Sequence, residues 1–186
     1  MLESLAVTLV LLAFLSVLLG GEALLKRKNI RIGGLVPIDQ TLYKLGKYSI
    51  FIPWTAMLLQ SWGFHISHLQ RPKPLIWVSL VLWILGFAFL FVGRFGLGKS
   101  FRIGIARESC GLKSDGIYKF SRNPMYLGIY ATTLASSLYT LNAIVIYAAF
   151  IVALVHHKIV LAEEEHLRKT FGPDYEDYCR RVRRYL

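Results

Sequence analysis

The chain has 186 residues, 55% of them hydrophobic, with a formal net charge of +11 and a mean hydropathy of +0.48. Apolar content this high, gathered into long uncharged runs, exceeds what a soluble domain carries and points to one compact membrane domain. The two cysteines, Cys110 and Cys179, lie far apart with no CxxC or Cys/His grouping. That pattern excludes a zinc site and a disulfide scaffold, and both residues are expected as free thiols.

Four uncharged runs follow in chain order: Ser4–Gly21 (18 residues), Tyr48–Gln70 (23), Pro74–Gly93 (20) and Asn123–His157 (35). A bilayer crossing needs about 20 apolar residues, so each of the first three fits one helix. As one helix the fourth would be about 52 Å long, and its only polar interruption far from the ends is Thr140-Leu141-Asn142. A tight hairpin is therefore expected there, which makes five crossings.

Charge supports that count. With five crossings and the N-terminus outside, 20 of the 22 Lys and Arg residues fall on one side, leaving only Arg71 and Lys73 on the other. This is the bias of the positive-inside rule, and it explains the net charge without a nucleic-acid partner. The expected class is all-α, with five transmembrane helices and a short amphipathic C-terminal segment. Residues 1–93 form three N-terminal helices. Residues 94–186 hold a cytosolic loop, the hairpin and the tail.

The first run lacks a basic n-region, and Lys26-Arg27-Lys28 follows it, so it reads as a retained helix rather than a signal peptide. Pro53 is expected to kink the second helix. Trp54, Trp62 and Trp77 lie towards helix ends, where indoles anchor at the interface, and His65 and His68 are expected to be solvated. Residues 93–100, GRFGLGKS, match the phosphate-loop pattern letter for letter. That motif works between a buried strand and a helix in an α/β domain, and here an apolar helix delivers it. A basic exit from the third helix is the better reading.

The informative stretch is residues 112–126, LKSDGIYKFSRNPMY. Ser114-Asp115-Gly116 is a turn signal, with Gly116 suited to positive φ. Asn123 suits a helix N-cap and Pro124 the first helical position. Capping alone would explain those two residues. The convergence of Arg122, Asn123, Tyr118 and Tyr126 at one depth goes further. Glu163-Glu164-Glu165 lies where the last membrane helix leaves the bilayer. Three adjacent glutamates span about 200° of a helix, so they cannot share one pocket. Glu163 shares a face with His156, whereas Glu164 and Arg168 are spaced for a surface pair. An exposed charge run is the alternative to a polar cavity here. Phe171-Gly172-Pro173 stops the helix, and Arg180, Arg181, Arg183 and Arg184 are expected to meet anionic head groups.

At these residues the chain resembles the isoprenylcysteine carboxyl methyltransferase group, within the wider set that includes phospholipid N-methyltransferases. The resemblance is carried by Gly116-Ile117-Tyr118, by Ser121-Arg122-Asn123-Pro124-Met125-Tyr126-Leu127-Gly128, by Glu163-Glu164 with Leu167, and by Phe171-Gly172-Pro173-Asp174-Tyr175 to Tyr178. Leu97-Gly98-Lys99-Ser100-Phe101-Arg102 fits an upstream segment, and the whole looks most like the short prokaryotic integral-membrane members. The resemblance implies an S-adenosylmethionine-dependent enzyme of the cell membrane, its site open to the cytosol and its acceptor lipophilic. It implies cofactor contacts from Cys110, Gly111, Leu112, Lys113, Gly116, Tyr118, Asn123, Pro124, Tyr126, Glu163 and Glu164. Arg122 and Glu163 are the catalytic candidates, His157 and Lys158 are the substrate-binding candidates, and no metal is expected. Two positions depart from the family: Asn123 stands where His is usual, and Ile159 stands where eukaryotic members place a substrate-binding Arg.

Transfer to a carboxylate needs no general base, only alignment and exclusion of water. An amine acceptor must lose a proton, which makes His157 or a glutamate the candidate base. An aromatic face at Tyr118 or Tyr126 would favour a sulfonium cation. Two alternatives stay open. Sterol reductases carry a similar C-terminal motif and use a nicotinamide cofactor, and a membrane scaffold could use the same residues only to cap helices.

Overall fold

The computed structural model describes residues 1–27, 38–67, 69–97 and 111–186, and every regular element among them is helical. In chain order these are α1 (Leu2–Arg27), α2 (Gln40–Ser49), α3 (Phe51–Ser61), α4 (Lys73–Leu97), a 3-10 turn (Gly116–Lys119), α5 (Pro124–Thr140), α6 (Ala143–Phe171) and α7 (Pro173–Arg181). Three stretches are long and apolar enough to cross a membrane: Leu2–Gly21, Lys73–Gly96 and Ala143–Phe171. His68, Cys110 and residues 98–102 lie outside the described residues.

Helix α5 is central. It lies along α4 and also meets α3 and α6, while α1 covers α3 and α4 and α2 lies on α6. Two glycines set the α4–α5 distance. A Cβ on Gly128 would stand 2.6 Å from the Gly86 carbonyl oxygen, and one on Gly86 would stand 2.7 Å from Thr132 Cγ2. The backbones therefore touch, as they do where small residues replace hydrophobic driving force inside a bilayer. The buried hydroxyls of α5 bond to their own helix: Thr132 donates to the Gly128 carbonyl at 3.0 Å, Ser136 to Thr132 at 2.9 Å and Thr140 to Ser136 at 2.8 Å. Polar side chains are thus satisfied without water.

The run around Pro53 is interrupted as expected, at Ile50, which keeps right-handed helical backbone (φ −61°, ψ −28°) between α2 and α3. The proline ring cannot accommodate or bond the carbonyl four residues earlier, and α2 ends at that residue, Ser49. Pro53 then sits in the first turn of α3, where its missing N–H costs nothing. Trp54 is a correction to the interfacial reading. It is only 4% exposed and packs edge-on against Phe14 (5.8 Å between centroids) and Trp83 (6.2 Å). Trp62 and Trp77 are exposed at helix ends, as expected.

The hairpin falls where the polar interruption predicts it. Leu141 takes the left-handed conformation (φ 48°), and its amide donates to the Ser137 carbonyl at 2.9 Å. Asn142 Oδ1 then caps α6 by accepting from the amides of Ile144 (2.9 Å) and Val145 (3.3 Å). Gly172 ends α6 at φ 51°, and Pro173 opens α7. At 29 residues α6 is about 43 Å long against a hydrocarbon core of about 30 Å. Its uncharged part ends at His157, and Lys158 to Phe171 extend the helix beyond that run.

Candidate functional site

Both ends of the hairpin meet beside that projecting turn, and neighbouring glutamates of α6 organise two layers there. Glu164 is buried at 3% exposure. Arg122, just before α5, donates from Nε to its Oε1 at 3.0 Å and from Nη2 to its Oε2 at 3.2 Å. Arg184 Nε reaches Oε2 at 2.8 Å, and Asn123 Nδ2 reaches Oε1 at 2.9 Å. Burial alone would raise the Glu164 carboxyl; the two arginines outweigh it and hold it below the usual carboxylate range.

The same layer ties down the tail. Arg122 donates from Nη1 to the Val182 carbonyl (2.6 Å) and from its amide to the Arg183 carbonyl (3.0 Å), and Ser121 Oγ donates to the Arg184 carbonyl (3.3 Å). Tyr175 and Tyr178 of α7 are buried with Val182, and Leu112 and Cys179 pack against them. Two expectations are corrected here. Glu164 does not pair with Arg168, which bonds Glu165 instead at 3.0 Å. Arg184 does not face head groups, because its guanidinium turns inward to Glu164.

The second layer lies one residue away and is built differently. Glu163 is partly buried and accepts from Tyr126 OH at 2.9 Å. Among the described residues no cation pairs with it. Burial pushes its carboxyl up to about 7, although the Tyr126 bond pulls the other way. Tyr43 of α2 and Tyr118 of the 3-10 turn border the same carboxylate. Burial raises both phenols, and the Glu163 charge raises each further, after that of Tyr178 in the case of Tyr118. Tyr118 OH donates to the Gly93 carbonyl at 3.1 Å, and Tyr178 OH donates to the Tyr118 carbonyl at 2.6 Å. The His156 ring stands 6.0 Å from that of Tyr126, which bears out a shared face for His156 and Glu163.

A third group lies deeper along α5 and α6. Tyr185 OH is 2.7 Å from His157 Nδ1 and 3.3 Å from Tyr130 OH. The other sequence candidates scatter. Lys158 is exposed, Gly111 is exposed and Lys113 bonds Asp115 at 2.9 Å. Gly116 takes φ 59°, and Pro124 is buried at the first position of α5. Asn123 occupies the N-cap position, yet its side chain bonds Glu164 and the Arg184 carbonyl instead of capping. Arg184, Tyr185 and Tyr43 were not anticipated from sequence. The arginine-tyrosine pair near the chain end was the available signal for the first two, and nothing marked Tyr43.

An all-helical bundle that carries an Arg-Asn-Pro turn against a double glutamate at the mouth of an apolar hairpin defines a membrane-embedded class of protein. The chain belongs to the phospholipid methyltransferase family, whose family model matches residues 74–174. It is also similar to methanethiol S-methyltransferase 1 of Bradyrhizobium diazoefficiens, with 27% identity over 156 residues that cover 78% of this chain and 53% of the relative. The chain thus spans about half the length of that relative. No solved structure matches it.

Proposed function

We propose that the chain is an integral-membrane methyltransferase that uses S-adenosylmethionine, with Glu163 at the centre of its cofactor site. The observation that carries this reading is a buried carboxylate bonded to one tyrosine, bordered by two more, and lacking a cation among the described residues. A sulfonium or an α-ammonium group supplies the missing charge, and aromatic faces favour such a cation. Tyr43, Tyr118 and Tyr126 would hold the cofactor with Glu163, and residues 111–113 would close over it. The bound cofactor supplies an electrophilic methyl group. The protein's part is to orient the acceptor, exclude water and remove a proton where the acceptor carries one.

The geometry favours an acceptor that must lose a proton, an amine or a thiol, over the isoprenylcysteine-like carboxylate implied by the resemblance. Arg122 is committed to Glu164 and the tail, and Ile159 is apolar and buried, so neither offers a carboxylate its counter-charge. In this reading Arg122 is a positioning residue, and His157, in contact with Tyr185, is the base. The family match and the thiol-methylating relative support the same choice. The broken α2–α3 segment and α5 complete five crossings, residues 1–93 form the scaffold, residues 94–186 form the catalytic half, and the site faces the basic, cytosolic side.

The test is binding and turnover by the full chain in detergent. S-adenosylhomocysteine is expected to bind and NADPH not to bind. With labelled S-adenosylmethionine, phosphatidylethanolamine or an alkanethiol is expected to be methylated in preference to a farnesylcysteine analogue. Binding of NADPH alone would overturn the methyltransferase reading.

A further inference from the structure

The end of α5 remote from Glu163 carries a second polar construction. There, Gln60, His65, Ser67, Gln70 and Arg71, with Ile76 from the first turns of α4, line an open cleft of about 480 Å³. The Arg71 guanidinium lies over the Tyr139 ring, 4.7 Å from its centroid. Its Nη1 is buried and has no hydrogen-bond partner among the described residues. A buried guanidinium nitrogen without an acceptor is costly, so a missing partner is the natural inference.

The neighbouring groups say what that partner is. Gln60 Oε1 already accepts from the amides of Ile66 (2.9 Å) and Ser67 (3.1 Å), which leaves its NH2 group, a donor, for the cleft. Ser67 Oγ donates to the Leu141 carbonyl at 3.3 Å and accepts from the Leu69 amide at 3.2 Å, so it is engaged. Among the described residues the carboxylate at this end is that of Glu3, which accepts from Tyr139 OH at 2.8 Å. What remains for a ligand is donors and positive charge: Arg71 and Gln60 Nε2, with Lys73 at the first position of α4, whose Leu75 and Ile76 amides already donate to the Pro72 carbonyl at 2.9 and 3.2 Å. Trp62, Phe64, Leu69 and Trp77 surround this end of the bundle and are more than half exposed, as side chains of a membrane interface are.

We propose that this cleft binds the phosphate group of a phospholipid, with Arg71 as its principal contact and the exposed aromatic rim against the acyl chains. The site is separate from the Glu163 site and does not depend on the methyltransferase reading.

The experiment titrates the full chain, in a neutral detergent, with dihexanoyl-phosphatidylglycerol, with dihexanoylglycerol, which lacks the phosphate, and with inorganic phosphate. The phospholipid is expected to bind, and Arg71→Gln to weaken it about tenfold, the size of one lost charge-assisted bond. Arg71→Lys should restore part of the loss. Equal binding by wild type and Arg71→Gln would overturn the proposal, as would equal binding of phospholipid and dihexanoylglycerol. Inorganic phosphate binding as tightly as the phospholipid would overturn the lipid assignment in favour of a free oxyanion. Should Arg71→Gln fail to fold, Gln70→Glu places a like charge at the exposed rim and is expected to weaken the phospholipid several-fold, and no change there would count against the site.

Discussion

Glu163 and Glu164 are adjacent on one helix and have opposite electrostatic fates. Glu164 is surrounded by two guanidiniums and an amide, and its charge is held on. Glu163 meets one phenol, and burial works against its charge. The difference follows from the 100° turn between successive helical residues, which sends one side chain towards the tail and the other towards α2 and α5. One carboxylate completes a structure, and the other is the one we propose a ligand completes. Stability and function can therefore be separated at neighbouring positions.

The largest effect is expected from breaking the saturated side. Glu164→Ala leaves Arg122 in a buried layer without its counter-ion and should cost about 3–5 kcal/mol in detergent unfolding, the usual range for half of a buried ion pair. It should also free the tail, so limited proteolysis should cut within residues 182–186 before the helices are cleaved. Glu163→Gln should act in the opposite sense on stability. The folded-state value of about 7 lies above the ordinary 4.5, so the unliganded protein gains stability as pH falls from above 7 towards 4.5. Glu164, held low, contributes stability above 4.5 that is lost as pH falls further. Unfolding free energy measured against pH should accordingly rise as pH falls from about 7 and peak near 4.5. Glu163→Gln should flatten the alkaline limb and gain roughly 1–2 kcal/mol at pH 8, a value reduced for partial solvent screening. The same variant should weaken S-adenosylhomocysteine by more than about tenfold, which is the loss of a charge-assisted contact. A Glu163→Gln protein that is destabilised at pH 8 and binds normally would merge the two layers into one structural role.

The sequence revealed those parts of this arrangement that depend on local rules. The hairpin could be placed because one polar triplet interrupts an uncharged run, and a left-handed Leu141 and an Asn142 cap stand there. The shared face of Glu163 and His156 follows from helical spacing, and Tyr126 touches both. Partners distant in sequence were not legible. Whether Trp54 faces lipid or core depends on Phe14 and Trp83, brought in from two other helices. Arg184 looked like a surface cation because nothing local shows that the tail folds back to a residue 20 positions earlier. Glu164 was spaced correctly for Arg168, and a buried partner outcompeted an exposed one.

The mildest variant tests whether the open layer is electrostatic or merely aromatic. Tyr126→Phe keeps the ring and removes only the hydroxyl that donates to Glu163 Oε2. That bond lowers the carboxyl, so its loss should raise the Glu163 value further above 7 and move the alkaline limb of the stability profile to higher pH. Folding free energy at pH 6, where Glu163 is largely neutral in both proteins, should change by about 1 kcal/mol or less. If the tyrosine orients a charged carboxylate for the cofactor, S-adenosylhomocysteine should weaken a few-fold at pH 7 and recover at pH 9, where Glu163 ionises without help. If only the ring face matters, affinity should be unchanged at both pH values, and the carboxylate would lose its place at the centre of the site.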